Sequence, residues 1–262
     1  MSESRRLPFD GGEVHLLHGG EGPPLLFLHA AGGAGIWAPF HEGLSRRFEV
    51  FAPDHPGFGF SDELPEVEAI DDLVYHYLEL MDRLGLERPI VVGASFGGWV
   101  AAELAVHSPE RVGRLVLLAA VGLRIPGHYV TDLFFLQPHE LPPVLFKDQS
   151  VAAQVFPAEP SLDDIMQIHK DMSAFARFAW QPFCNDPKLE RRLHRIGAPT
   201  LVVWGDDDRT VPRIHGERYA ERIPDARLQI IESCGHALHQ EKPDAVVDAI
   251  VAFAGSPKEA VA

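Results

Sequence analysis

Hydrophobic positions along this chain fall into two alternating rhythms. Short continuous apolar runs, Pro24 to His29, Phe48 to Ala52, Ile90 to Val92, Leu115 to Val121 and Pro199 to Gly205, have the length and composition of strands buried on both faces. Between them run stretches with helical spacing. Ile70, Leu73, Val74, Tyr77, Leu78, Met81 and Leu84 repeat at three and four, with Asp71 and Asp72 suited to a helix start. Further helices are expected at Ile36 to Leu44, from Trp99 to a stop at Ser108-Pro109, at Arg213 to Arg222 and at Pro243 to Phe253. Leu7 to Asp10 and Val14 to Leu17, split by Gly11-Gly12, read as an edge hairpin, and Arg227 to Glu232 as a last strand. Strands alternating with amphipathic helices imply a mostly parallel sheet covered on both faces.

The alternation breaks between Gly122 and Gly197. Prolines punctuate this region, and its best helix, Leu162 to Trp180, is preceded by Ser161 with Asp164 three residues on, the spacing of a capping box. The expected division is therefore a core of residues 1–122 and 198–262 carrying a helical cap, or lid, at 123–197. From Pro257 onward the chain reads as a solvated tail.

With 262 residues there is room for one large α/β domain carrying an insertion. A net charge of -15 argues against nucleic acid and anionic membrane surfaces as partners. The opening residues lack the apolar stretch of a signal peptide, and no run approaches a membrane span. Cys184 and Cys234 do not share a CxxC spacing. Free buried thiols in a cytoplasmic protein are the expectation.

The hydrophobic period changes abruptly at Gly93-Ala94-Ser95-Phe96-Gly97-Gly98, strand before Ser95 and helix after it. A strand that becomes a helix within two or three residues strains the residue at the corner, and flanking glycines relieve the crowding. The serine hydroxyl is then held at the tip of a sharp turn, the arrangement of a nucleophile elbow. A hydroxyl is a poor nucleophile at neutral pH, so it needs a base and a carboxylate to orient that base. In an open parallel sheet such groups gather at the carboxyl ends of strands. The strand 199–205 ends in Asp206-Asp207-Asp208, and the strand 227–232 is followed by His236.

The order serine, aspartate, histidine resembles that of the α/β-hydrolase superfamily. The likeness extends over nearly the whole chain. His29-Ala30-Ala31-Gly32 resembles an oxyanion loop, Asp54 to Ser61 a D-x-x-G-x-G-x-S loop, Gly205 to Pro212 a G-x-x-D-x-x-V-P acid loop, and Gly235-His236 with Glu241 and Pro243 the terminal G-H-x-x-x-x-E-x-P.

The resemblance implies an eight-stranded, mostly parallel sheet with helices on both faces and a helical cap. It also implies Ser95 as nucleophile, His236 as base and Asp208 as acid, with Asp206 and Asp207 as solvated loop carboxylates. The amide of Phe96 is one expected oxyanion donor and that of Ala31 the other; because Ala30 stands where the pattern has glycine, Ala30 and Gly32 stay open as alternatives. The expected pocket is lined by Ala30, Trp37, Phe134, Phe135, Phe178, Trp180, Val211 and Ala237, although core packing is the plainer account of Trp37. His29 is expected to fix its loop, and His55, His128, His139 and His169 to lie on the surface or the pocket wall.

His236 and His239 form an HxxH that is not by itself a metal site, and the three aspartates lack octahedral spacing, so neither metal nor cofactor is expected. The first reading is a serine carboxylesterase acting on small, largely apolar esters. A carbon-carbon hydrolase of ring-cleavage products, a cofactor-free perhydrolase and a slow ligand sensor share the same frame. A serine at the elbow counts against the dehalogenases and epoxide hydrolases, which carry aspartate there. A homodimer is compatible with all of these.

Overall fold

The computed structural model describes residues 2–255. Its sheet has eight strands: β1 (Glu3–Phe9), β2 (Gly12–Gly19), β3 (Pro24–Leu28), β4 (Glu49–Pro53), β5 (Ile90–Ala94), β6 (Arg114–Leu118), β7 (Thr200–Gly205) and β8 (Ala226–Ile231). They lie side by side in the order β1-β2-β4-β3-β5-β6-β7-β8. The β1-β2 hairpin joins β4 antiparallel, and every pairing from β4 to β8 is parallel. The central strands are apolar on both faces because helices cover both: every residue of β5 and β7 is buried.

The helices are α1 (Pro39–Ser45), α2 (Ile70–Arg83), α3 (Phe96–His107), α4 (Leu141–Leu145), α5 (Gln149–Val155), α6 (Leu162–Ala179), α7 (Leu189–Arg192), α8 (Ile214–Arg222), α9 (Leu238–Glu241) and α10 (Pro243–Ala254). Helix α1 starts at Pro39, later than the expected Ile36. The stretch before it holds Gly33 and Gly35 at positive φ, and proline suits a first helical position. The capping box on α6 is present: Ser161 Oγ accepts from the amide of Asp164 at 3.2 Å, and the Asp164 carboxylate accepts from the amide of Ser161 at 2.9 Å. The expected tail from Pro257 lies outside the described residues.

Between β6 and β7 the chain leaves the sheet and forms α4 to α7. The neck of this insertion is narrow, with Gly122 bridged to Asn185 and the amide of Asp186 donating to Gly122 O at 3.0 Å. The neck closes earlier than the expected boundary at residue 197. Residues after it return to the core, because Leu189, Leu193 and Ile196 are fully buried there and Arg195 Nε donates to Val106 O on α3.

Candidate active site

Ser95 follows the last residue of β5 and precedes α3. Its backbone has φ 49° and ψ -108°, a conformation that costs a residue with a Cβ of the order of 1–3 kcal/mol. Surrounding contacts impose it: the Ser95 amide donates to Leu118 O at 2.8 Å, and its carbonyl accepts from Val121 and Trp99. The glycines are there because backbone passes too close for a side chain. A Cβ on Gly93 would lie 2.3 Å from Gly97 O, and one on Gly97 would lie 2.2 Å from Leu28 O.

His236 stands in the loop between β8 and α9, and Asp208 in the loop between β7 and α8. Both loops open at the same edge of the sheet as the elbow. His236 Nε2 is 2.9 Å from Ser95 Oγ, and His236 Nδ1 is 2.9 Å from Asp208 Oδ2. The other carboxylate oxygen accepts the amides of Thr210 at 2.9 Å and Val211 at 2.8 Å, which fixes its plane. The imidazole and the Asp208 side chain are almost fully buried. With Nδ1–H donated to the carboxylate, Nε2 is bare and faces the serine, so the row can take the hydroxyl proton as the oxygen attacks.

The neighbouring aspartates are used elsewhere. Asp206 Oδ1 accepts the Cys234 amide at 3.0 Å, and hydrogen bonds from the 233–234 backbone hold its carboxyl below the usual range. Asp206 is thus a brace of the turn leading to His236 more than a free surface charge. Asp207 pairs with Arg209 at 2.8 Å.

As the first residue of α3, Phe96 has an amide with no acceptor inside its helix. The Ala30-Ala31 loop sits beside it, since β3 neighbours β5 and the first turn of α3 rests on the carbonyls of Leu28 and His29. His29 holds that loop. Its Nδ1 donates to Ala30 O at 2.5 Å and its Nε2 accepts the His55 amide at 2.9 Å. His55 Nε2 in turn donates to His29 O, and Tyr77 donates its hydroxyl to His55 Nδ1. Burial lowers both imidazoles to about 3.

The expected pocket residues divide. Phe178 is buried and stacks on Phe58, with Phe96 6.0 Å away. Phe134 stacks on Phe175 and meets Trp180 and Phe183. Ala30 and Ala237 are half-buried; Val211 is fully buried, with its amide on Asp208. Three of these expectations are corrected. Trp37 packs at the opposite end of the sheet, against Gly19 at the β2 end paired with the start of β4, because the glycine loop is long enough to carry it past the rim. Phe135 is 80% exposed, projecting from a single turn away from the cluster. Trp180 is 56% exposed and meets the cluster at Phe134, since it caps α6 where the chain turns outward.

His55 is fully buried under the loop, not on a surface or pocket wall, whereas His128, His139 and His169 are exposed. Sequence reasoning overlooked Phe175, whose ring meets that of Phe96 edge-on at 5.5 Å. The spacing of Asp171, Ala174, Phe175 and Phe178 along one helical face was the available signal. Among the described residues no helix is long and apolar enough to cross a membrane.

Residues 25–249 match the profile of the alpha/beta hydrolase family, and the chain belongs to that family. The 2-hydroxy-6-oxononadienedioate/2-hydroxy-6-oxononatrienedioate hydrolase of Comamonas testosteroni is 31% identical, over 88% of this chain and 87% of that protein. A 2-hydroxy-6-oxo-6-phenylhexa-2,4-dienoate hydrolase of Burkholderia cepacia is also 31% identical with the same coverage. Among solved structures, the meta-cleavage product hydrolase of Pseudomonas fluorescens superposes with a TM-score of 0.79 at 26% identity, covering 95% of this chain and 96% of that one. A bacterial membrane phospholipase A superposes with a TM-score of 0.81 at 25% identity, covering 97% of this chain and 86% of that one.

Proposed function

We propose that this α/β hydrolase cleaves a carbon-carbon bond in a vinylogous diketone acid of the kind formed by aromatic ring cleavage. The hydrogen-bonded row Asp208-His236-Ser95 carries the acyl-transfer part of this reading. The choice of bond is supported by relatives whose names specify 2-hydroxy-6-oxo-dienoates. It replaces the carboxylesterase as first reading.

In the proposed reaction Ser95 Oγ adds to the ketone carbon while its proton passes to His236 Nε2, and Asp208 stabilises the imidazolium. The amides of Phe96 and Ala31 receive the developing oxyanion. Collapse breaks the adjacent carbon-carbon bond. A carbanion is a poor leaving group unless delocalised, and the conjugated keto acid accepts the electron pair as a dienolate, which His236 reprotonates. Water, deprotonated by the same imidazole, then releases the acid from Ser95. The insertion serves as a roof, with Phe134, Phe175 and Phe178 giving the acyl group an apolar wall. Buried, unpaired Cys184 and Cys234 suit a cytoplasmic setting, and burial raises the Cys234 thiol to about 12.

Carboxylic ester hydrolysis is the second reading, favoured by the likeness to the phospholipase. It uses the same row with an alkoxide as leaving group. A panel of vinylogous diketone acids and nitrophenyl esters of graded chain length separates the two. The diketone acids are expected to show at least ~10-fold higher kcat/KM, which is 1.4 kcal/mol in transition-state binding; esters ahead by that margin would reverse the assignment. In the same assay Ser95→Ala should abolish turnover, and Asp208→Asn should cost roughly 10⁴-fold, as in the serine-protease precedent. Residual activity above a few per cent in Ser95→Ala rules that oxygen out as nucleophile.

A further inference from the structure

We propose that Glu241 is a positioning residue that yokes the insertion to the His236 loop, so that roof and base hold or lose their places together; this rests on the acyl-transfer reading above. Glu241 ends α9 and is 5% exposed. Its Oε2 accepts the amide of Gly235 at 2.9 Å and that of Lys147 at 3.1 Å, while Oε1 accepts the amide of Asp148 at 2.9 Å. Gly235 directly precedes His236; Lys147 and Asp148 belong to the insertion. On the other side of His236, the amide of Ala237 donates to Leu145 O at 3.0 Å. The backbone neighbours of the base are therefore fastened to the stretch from the end of α4 to the start of α5, Ala237 directly and Gly235 through Glu241.

The approach is close enough to require glycine, since a Cβ on Gly235 would lie 2.8 Å from both Leu145 O and Lys147 N. The acid loop is tied to the same stretch. Thr210 Oγ1 donates to Val144 O at 3.3 Å, and Arg209 donates to Pro143 O at 3.2 Å. One short run, from Pro143 in α4 to Asp148 just before α5, thus reaches the loops that supply both Asp208 and His236. A carboxylate suits the central position because it only accepts, and three donors converge on it. An amide there turns an N–H group toward another N–H.

The test uses Glu241→Gln in the full-length protein, assayed on a nitrophenyl acetate ester that needs only the Ser95-His236-Asp208 row. We expect kcat to fall between ~10- and ~100-fold with KM within threefold, because a displacement of about 1 Å at the base costs that much. The acidic limb of the pH-rate profile should also move, since the imidazole no longer sits squarely on Asp208. A variant with wild-type kcat and an unshifted limb, even one with a lowered Tm, overturns the proposal.

Should Glu241→Gln fail to fold, hydrogen exchange in the wild-type protein decides. The amides of Gly235, Ala237, Lys147 and Asp148 should open as one unit, with protection within threefold. Opening of 147 and 148 at least tenfold more often than 235 overturns the proposal. Ester turnover surviving in Ser95→Ala would instead defeat the acyl-transfer reading. A dead Ser95→Ala beside an unaltered Glu241→Gln would defeat the yoke alone.

Discussion

Helices α3 and α6 meet at Phe96, next to Ser95, but are held in opposite ways. Ten of the twelve residues of α3 are buried, because it lies between the sheet and its neighbours and is apolar nearly all round. Only five of the eighteen residues of α6 are buried, all from Asp171 onward. Its first half shows Leu162, Ile165, Met166 and Ile168 to solvent. The second half is fixed by aromatic contact with Phe96 and by a polar clasp. Asp171 Oδ1 accepts the Gly59 amide at 2.9 Å, and Lys170 Nζ donates to the carbonyls of Gly59 and Ser61. The helix that follows Ser95 is immobilised along its length, while the helix packed on Phe96 from the insertion is gripped at one end. That asymmetry suits a site whose reacting groups stay in register while its cover admits substrate.

The contrast is broken most directly at Gly97, where any side chain strikes the carbonyls of Leu28 and His29. Gly97→Ala should lower the unfolding free energy by roughly 3 kcal/mol, read as a fall in urea midpoint with the slope unchanged, and should remove turnover. A change below half a kilocalorie would mean α3 is not so tightly set. Asp171→Ala should cost about 1–2 kcal/mol, the price of unpairing a buried amide, and should raise KM severalfold with kcat nearly constant. A drop in kcat with constant KM would place the clasp in the chemistry and not in the cover. Met166→Gln, on the exposed half, should shift stability by less than about 0.5 kcal/mol; a larger loss in thermal unfolding would show that this face is already covered in solution.

The strands and the rim were legible because their signals are local. A buried parallel strand announces itself as an apolar run, and a carboxylate or imidazole just past its end has few other places to go. Asp208 could be separated from Asp206 and Asp207 only through the resemblance to the α/β-hydrolases, which implies the third residue after the glycine as the acid; the structure puts that carboxylate on His236. The side-chain environment of loops was not legible. Trp37 and Phe135 are aromatic residues outside the regular strand-helix rhythm, and whether such a ring turns inward depends on loop length and on neighbours remote in sequence. His55 looked like a wall residue because its partners, His29 and Tyr77, lie far away along the chain. The boundary at residue 197 was misplaced because Leu189, Leu193 and Ile196 pack into the core through short irregular turns that give no strand-helix rhythm.

The His29-His55-Tyr77 chain leaves a signature on the whole molecule. Each ring spends its single N–H on a carbonyl and its bare nitrogen on a donor, so neither can take up a proton without losing an acceptor. Their contribution to folding is intact above the ordinary imidazole value near 6.5 and drains away as the medium is acidified toward about 3, by up to about 1.4 kcal/mol per pH unit for each ring. Acid should therefore loosen this corner along with the other buried imidazoles, His41, His76 and His239, and strong alkali should loosen it too, because burial raises the Tyr77 hydroxyl that donates to His55 well above its ordinary value near 10.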